Sequence, residues 1–245
     1  MNAMLNYGRK KRWIKENPCN FTEAPTYEAP ERPVLPLEDL KRIPDLINLE
    51  SLKYQALFYF ITLCTLRKEE IVALSWPGIN FDNNYFDINN GSESIKGEGT
   101  KIKKTKTKKS KRKMYLPAIL KEILLKLRSE QEIMKEKMGD LWEGEDWIFI
   151  QRNGKLMDLN TPNHWWQKFR TKHNIAPIAF YDLRHTAATY MLHNDGKLST
   201  VSRALGHSNI GTTLNVYTHT LDDTKEESIH IMEDLLFKKD EDDKD

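Results

Sequence analysis

The longest apolar stretch of this 245-residue chain runs from Ala56 to Leu66. A helix that crosses a membrane needs about 20 mostly apolar residues, so this stretch is too short to span one. Apolar side chains recur at helical spacing from Leu52 to Thr65. The pattern predicts a strongly apolar helix in the core of a soluble, globular protein.

Helical periodicity predominates elsewhere, and strand-like runs are few and short. Further helices are predicted at 37–49, 67–74, 117–138, 161–173, 182–194, 199–205, 211–217 and 221–237. Strands are predicted at 79–81, 85–88 and 112–116, with a fourth candidate at 147–150. The polar segment 89–110 is expected to be a loop. The fold class is therefore α+β, mainly helical, with one small three-stranded antiparallel sheet.

The net charge of +2 conceals a strong segregation of charge. Ten Lys and Arg residues face one Glu between Lys96 and Lys113, whereas eleven acidic residues face four Lys between Asp222 and Asp245. A basic block on an otherwise balanced domain predicts a polyanionic partner. The plain alternative is a solvated loop.

Cysteine usage and the first residues indicate the compartment. The chain has only Cys19 and Cys64, without the spacing of a disulfide framework, which is typical of a reducing compartment. The first residues are polar and basic and lack the apolar core of a signal peptide. We therefore expect a cytoplasmic protein.

Five residues in order suit one chemistry: Arg67, Lys106, Arg184, His207 and Tyr217. Two arginines can clamp the nonbridging oxygens of a phosphodiester, because guanidinium binds phosphate bidentately and stays charged. The histidine adds a donor, the lysine can protonate the leaving 5′ oxygen, and the tyrosine can attack phosphorus. We find no motif of a serine hydrolase, a P-loop enzyme or a metalloprotease.

Each residue also has a plainer interpretation when taken singly. Arg67 after an apolar helix suits a surface or ion-paired residue, and Tyr217 between Val216 and Thr218 suits a core aromatic. The sequence motifs around these residues decide between the two interpretations. Residues 65–71 read Thr-Leu-Arg-Lys-Glu-Glu-Ile, 182–189 read Asp-Leu-Arg-His-Thr-Ala-Ala-Thr, and 205–210 read Leu-Gly-His-Ser-Asn-Ile before Tyr217-Thr218-His219.

In these three sequence motifs the chain resembles the catalytic domain of the tyrosine recombinase, or phage integrase, family. The resemblance is strongest to integrases of Gram-positive phages and conjugative transposons. The resemblance implies a recombinase that cleaves and rejoins DNA through a 3′-phosphotyrosine and a Holliday junction, without metal or cofactor. Lys106, followed by Ser110, Arg112 and Pro117, resembles the hairpin with the catalytic lysine, although Lys103, Lys104 or Lys108 also fit. Glu70 is expected to orient active-site groups.

One position departs from the family pattern. Tyr181 stands three residues before Arg184, where the family usually has histidine. A phenol is a poor base at neutral pH, since its pKa is about 10, but it can donate a hydrogen bond. We therefore expect Tyr181 to orient the phosphate or Tyr217.

The resemblance also implies partners and boundaries. Phosphates of double-stranded DNA attachment sites are expected to contact Lys101, Lys103, Lys104, Lys108, Lys109 and Arg112. A homotetramer on DNA, monomeric or weakly associated without it, and an accessory DNA-bending or excision factor are expected, and no membrane. We assign 1–36 to the end of an absent core-binding domain and a proline-rich linker, 37–221 to the catalytic domain, and 222–245 to an amphipathic helix and acidic tail. That helix is expected to dock either on a neighbouring protomer or on its own domain.

Two other functions remain open on the sequence. A type IB topoisomerase shares the clamp and the tyrosine chemistry, although the Leu-Gly-His word favours a recombinase. A DNA-binding regulator without catalysis is the alternative from another class.

Overall fold

The computed structural model describes residues 1–22, 32–104, 111–193 and 197–206. The chain divides into two compact units, Met1–Arg32 and Pro33–Asp245. The division lies near residue 36, where the proline-rich linker is predicted to end. Each unit has its own internal contacts and is described by itself.

The first unit consists of one helix and one 3₁₀ turn, which a buried asparagine holds together. Helix α1 spans Asn2–Lys10, and a 3₁₀ turn spans Pro18–Phe21. The Asn17 side chain is fully buried and donates to the side-chain oxygens of Asn2 at 2.7 Å and Asn6 at 2.8 Å. Its own oxygen accepts from the Cys19 amide at 3.0 Å, which caps the turn. The segment after α1 therefore folds back onto that helix.

The second unit contains seven described helices around one core. They are α2 (Leu37–Ile47), α3 (Leu52–Thr62), α4 (Lys68–Val72), α5 (Ala118–Met138), α6 (Thr161–Lys172), α7 (Asp182–His193) and α8 (Leu198–Ala204). Every residue of α3 from Gln55 to Thr62 is buried. The apolar run that begins at Ala56 thus lies mostly in the central helix, α3. Its composition predicts this position, because a helix that is apolar on all sides must be surrounded by other parts of the protein.

A three-stranded antiparallel sheet lies against this core. Its strands are β1 (Ile79–Asn80), β2 (Tyr85–Ile88) and β5 (Arg112–Tyr115), in the order β1–β2–β5. Phe86 on β2 is fully buried and meets Phe60 of α3 edge to face, with ring centroids 5.4 Å apart. The register pairs Ile88 with Arg112. Consequently the first residue of β5 lies beside a buried strand end.

The predicted loop at 89–110 is wrong over most of its length. Residues Asn90–Ile95 and Gly99–Lys104 form strands β3 and β4, an antiparallel hairpin that pairs Asn90 with Lys104. Its turn uses Gly97 and Gly99 with φ of +82° and +78°, values that glycine adopts without steric cost. Both faces are mostly polar, so backbone pairing and not an apolar pattern defines the hairpin. Sequence alternation therefore gave no signal.

A second correction concerns the strand candidate at 147–150. Its apolar residues Ile148, Phe149 and Ile150 are buried, but the backbone makes only isolated bridges, Ser75 with Trp147 and Ile150 with Leu156. A short apolar run can fill a core without strand pairing.

Helices α7 and α8 pack through a small apolar cluster of their own, formed by Ala188, Leu192, Val201 and Leu205. Leu35, before α2, is fully buried, and its amide donates to the Thr186 hydroxyl at 3.0 Å. Tyr190 returns a bond to the Leu35 carbonyl at 3.0 Å. These bonds fix α7 against the start of the unit. None of the described helices is long and apolar enough to cross a membrane.

Candidate active site

Arg184 is fixed by carbonyl groups from two distant segments. The Asp182 carboxylate accepts the Ala179 amide at 3.0 Å and closes the turn that begins α7, so Arg184 falls in the first helical turn. One guanidinium nitrogen donates to the Thr65 carbonyl and the other to the Leu205 carbonyl at 2.6 Å. The residue is only 2% exposed. Its orientation is therefore set before any substrate binds.

The charge on Arg184 is under strain from its surroundings. Burial lowers the pKa of Arg184 to about 10, and the positive charge of Arg67 lowers this pKa as well. The positive charge of Arg67 therefore opposes that of Arg184. An anion bound beside the two guanidinium groups would offset this repulsion.

Arg67 and Glu70 form a local pair at the start of α4. The Glu70 carboxylate accepts the Arg67 backbone amide at 3.0 Å and its Nη1 at 3.2 Å. The first bond satisfies an orphan amide of the helix N-terminus. The side chain of Arg67 remains 34% exposed, whereas that of Glu70 is 9% exposed. The arginine is thus anchored at one edge and open at the other.

Arg112 adds a third, partly buried cation to this pair. Its Nη1 and Nη2 donate to the two Glu70 oxygens at 2.9 and 3.0 Å, in a bidentate arrangement. Burial alone would raise the pKa of Glu70, but the hydrogen bond and charge of Arg112, followed by those of Arg67, bring it below its usual range. The sequence grouped Arg112 with the exposed DNA-binding lysines, whereas the structure turns its side chain inward.

Gly206 lies against the guanidinium group of Arg112. Its φ is +61°, and a Cβ there would lie 2.8 Å from the guanidinium carbon of Arg112. Only glycine combines this backbone conformation with such a close approach. The local sequence does not mark Gly206 or Thr65 as functional residues. Their only signals are their places in the chain, Gly206 directly before His207 and Thr65 two residues before Arg67.

Tyr181 lies at the rim of the cluster. It is 37% exposed, and its carbonyl accepts the Arg184 amide at 3.1 Å. It borders a polar groove of about 620 Å³ that Lys68, Gln167 and Arg170 also line. The backbone of Tyr181 therefore adjoins Arg184, and the residue is accessible from solvent.

The remaining predicted residues fall on the β3–β4 hairpin or outside the description. Lys101 pairs with Glu98 and Lys103 pairs with Glu93 on the exposed hairpin. Lys104 ends β4, and its side chain is outside the described part of the chain. The same holds for Lys106, Lys108, Lys109, His207, Tyr217 and the predicted helices at 211–217 and 221–237.

Taken together, the described side chains form a cationic cluster. Arg67 and Arg112 pair with the buried Glu70 carboxylate, and the charges of Arg67, Glu70 and Arg112 all act on Arg184, so three positive charges share one carboxylate. Planar guanidinium donors in fixed positions match the oxygens of a phosphate group. No group of three or more His, Cys, Asp or Glu within the described ranges is placed to hold a metal ion.

Comparisons with known proteins identify the family of this chain. The model of the phage integrase family matches residues 33–224. A XerC-like tyrosine recombinase of Caldanaerobacter subterraneus is 27% identical over 96% of this chain, and the ICEBs1 integrase of Bacillus subtilis is 23% identical over 91%. The chain spans 64% and 60% of the length of these two relatives.

Solved structures show the same fold. The Tn1549 transposon integrase in complex with transposon right end DNA superposes with a TM-score of 0.75 at 18% identity, over 94% of this chain and 76% of that one. The XerA recombinase superposes with a TM-score of 0.59 at 17% identity, over 86% of this chain and 68% of that one. The mainly helical fold and the family predicted from the sequence words are thereby confirmed.

Proposed function

Because this chain belongs to the phage integrase family, we propose that it is the catalytic part of a site-specific DNA recombinase. The observation that carries the proposal is the cationic cluster of Arg67, Arg112 and Arg184 with the single carboxylate of Glu70. A phosphodiester has one negative charge, and the cluster has more positive charge than its carboxylate neutralises. The scissile phosphate is the anion that this arrangement fits.

We propose that Tyr217 attacks the phosphorus while Arg67 and Arg184 hold the nonbridging oxygens. The bond between phosphorus and the 5′ oxygen breaks as the bond to the phenolic oxygen forms. The phenol gives up its proton to solvent water, and the 5′ oxygen receives one from Lys106. His207 donates a further hydrogen bond to the phosphate, and Tyr181 orients the reacting groups. The reverse attack by a 5′ hydroxyl of another strand rejoins the DNA.

The buried hydrogen bonds of Arg184 support the catalytic efficiency of this arrangement. Donors that are already oriented need no reorganisation when charge develops in the transition state. The Thr65 and Leu205 carbonyls supply that orientation. Removing one such donor typically costs about 10²–10³ in rate.

The wider biological role is proposed as integration or excision of a mobile element through a Holliday junction. The names of the ICEBs1 and Tn1549 integrases support this choice. Chromosome-directed recombination is the alternative that the XerC-like relative suggests. A homotetramer on double-stranded DNA attachment sites in the bacterial cytoplasm, assisted by a DNA-bending or excision factor, is the assembly we propose.

We propose that the lysines of the β3–β4 hairpin contact DNA phosphates outside the cationic cluster. Lys101 and Lys103 are 51% and 46% exposed, and their ion pairs with Glu98 and Glu93 lie at the surface. Such pairs contribute little stability, so DNA phosphates can replace the carboxylates at small cost. Lys104, Lys108 and Lys109 continue the same basic segment.

A covalent adduct tests the proposal directly. The full chain is incubated with a randomised duplex library that carries 5′-bridging sulfur, so that the departing thiol cannot religate efficiently. We expect a DNA–protein adduct that is lost in Tyr217→Phe and retained in the matched control Tyr115→Phe, a tyrosine exposed on the sheet. Absence of an adduct in the wild type would indicate a DNA-binding regulator. Relaxation of supercoiled DNA without recombinants would indicate a topoisomerase.

Proposals for the tail 222–245 need a separate experiment. The tail docks either on a neighbouring protomer or on its own domain. Deleting residues 222–245 and measuring the complexes on DNA by native mass spectrometry distinguishes these two docking modes. Loss of tetramers with retained adduct formation supports docking on a neighbouring protomer. Unchanged assembly together with lower thermal stability supports docking on the same domain.

A further inference from the structure

Glu70 is shared unequally between two arginines. Arg112 binds both of its oxygens through two side-chain bonds, at 2.9 and 3.0 Å. The Arg67 guanidinium makes one longer bond, at 3.2 Å, to the oxygen that also accepts from Arg112. The carboxylate therefore faces Arg112 squarely and touches the guanidinium of Arg67 only at one nitrogen.

This inequality matters because a carboxylate competes with a phosphate for the same guanidinium. A bidentate pair between Arg67 and Glu70 would neutralise Arg67 and occupy two of its donors. The observed arrangement orders Arg67 through its backbone amide and one side-chain nitrogen. Within the described ranges no other hydrogen bond occupies the remaining side-chain donors of Arg67, and its side chain is 34% exposed.

One further contact and the burial of its guanidinium describe the position of Arg112. Its side chain is 13% exposed, and its Nε is buried without a hydrogen-bond partner in the described part of the molecule. Gly206 lies directly against the guanidinium, with space for no Cβ. Arg112 thus fills a slot between Glu70 and the Gly206 turn, although burying an unpartnered donor is costly. A residue used only for exposed DNA contact would not need that slot.

We propose that Arg112 is a positioning residue that occupies Glu70 and thereby keeps the guanidinium of Arg67 open for the scissile phosphate. The inference rests on the proposed function and deepens it. Arg112 acts through Glu70 and does not contact the DNA. Without Arg112, the Glu70 carboxylate turns to Arg67, pairs with it bidentately and withdraws it from the phosphate.

The proposal makes a prediction that a purely structural role does not make. Arg112→Met should slow cleavage by about 10- to 10²-fold, because one positioned donor of the transition state is weakened. Adding Glu70→Gln to that variant should restore part of the rate, because a neutral amide cannot neutralise Arg67. The same Glu70→Gln change alone should slow the wild type. The sign of the Glu70 effect therefore reverses with the residue at position 112.

A neutral substrate supplies the second readout. A methylphosphonate at the scissile position has one negative charge fewer and depends less on cationic donors. We expect Arg112→Met to slow cleavage of this substrate clearly less than cleavage of the phosphodiester. Arg112→Lys, which keeps the charge but not the bidentate geometry, should fall between Met and the wild type and serves if the Met variant does not fold.

The control is Arg128→Met, which removes an exposed arginine paired with Glu132 at 3.4 Å on α5. It should leave both rates unchanged. Equal slowing of both substrates by Arg112→Met, without recovery in the double variant, would overturn the inference while leaving the recombinase proposal intact. A wild type that forms no adduct on either substrate would instead refute the proposed function, and this inference with it.

Discussion

Removing the Glu70 carboxylate should destabilise the fold as well as the site. The side chain is 9% exposed and joins two arginine side chains and a backbone amide. Taking away one partner of a buried ion pair leaves uncompensated buried charge, at a cost of about 3–5 kcal/mol. We therefore expect Glu70→Ala to lower the free energy of unfolding by this amount, measured by urea denaturation at neutral pH. Glu70→Gln, which keeps hydrogen-bonding capacity, should cost less.

The same chain offers a matched control on the surface. Glu132 pairs with Arg128 at 3.4 Å, and the two side chains are 64% and 50% exposed. Exposed pairs contribute about 0–1 kcal/mol, so Glu132→Ala should barely move the unfolding midpoint. A Glu70→Ala effect as small as that of Glu132→Ala would refute the argument that burial makes the Glu70 cluster structural.

The stabilisation by Glu70 should also depend on pH in a defined direction. The pKa of Glu70 lies below its ordinary value of 4.5 in the folded chain. A carboxyl group with a depressed folded pKa stabilises fully above the unfolded value and loses this contribution as pH falls through the folded value. The stability difference between wild type and Glu70→Gln should therefore be constant near neutrality and shrink below about pH 4.5. A difference that grows on acidification would contradict the assignment.

Three further predictions concern activity. Arg184→Ala should slow adduct formation by at least about 10²-fold and Tyr181→Phe much less, in single-turnover cleavage assays; equal losses would sink the orienting role of Tyr181. Gly206→Ala should lower both stability and cleavage, and a double-mutant cycle with Arg112→Ala should show a smaller cost once the guanidinium is gone; full additivity would exclude the steric contact. DNA affinity should fall steeply and linearly with the logarithm of salt concentration; a flat titration would remove the case for phosphate contacts.

Several elements followed directly from local sequence patterns. The central helix α3 was predictable because an apolar run too short for a membrane must be buried in the protein. The long helix α5 follows Pro117, which suits the first turn of a helix. Local patterning predicts a loop where the β3–β4 hairpin lies, and only the family resemblance indicates a hairpin there. The strands carry lysine, serine and glutamate on exposed faces, where burial imposes no alternation.

The candidate site divides in the same way. The motifs at 65–71 and 182–189 identified Arg67 and Arg184, because the neighbours of these arginines along the chain form a specific pattern. Arg112 was assigned to the exposed basic segment because its neighbours are lysines. Nothing in its local sequence shows that a bidentate bond to Glu70, 42 positions away, turns it inward.

The sequence by itself determined the family, the mainly helical fold and the residue types for phosphate chemistry, since each depends on local patterns and on chemical capacity. The tertiary structure alone decided which guanidinium groups share a carboxylate, which backbone carbonyls hold Arg184, and why position 206 needs glycine. Those facts depend on groups brought together from distant parts of the chain. In a buried site the energy of a charge is set by such neighbours and not by its place along the chain.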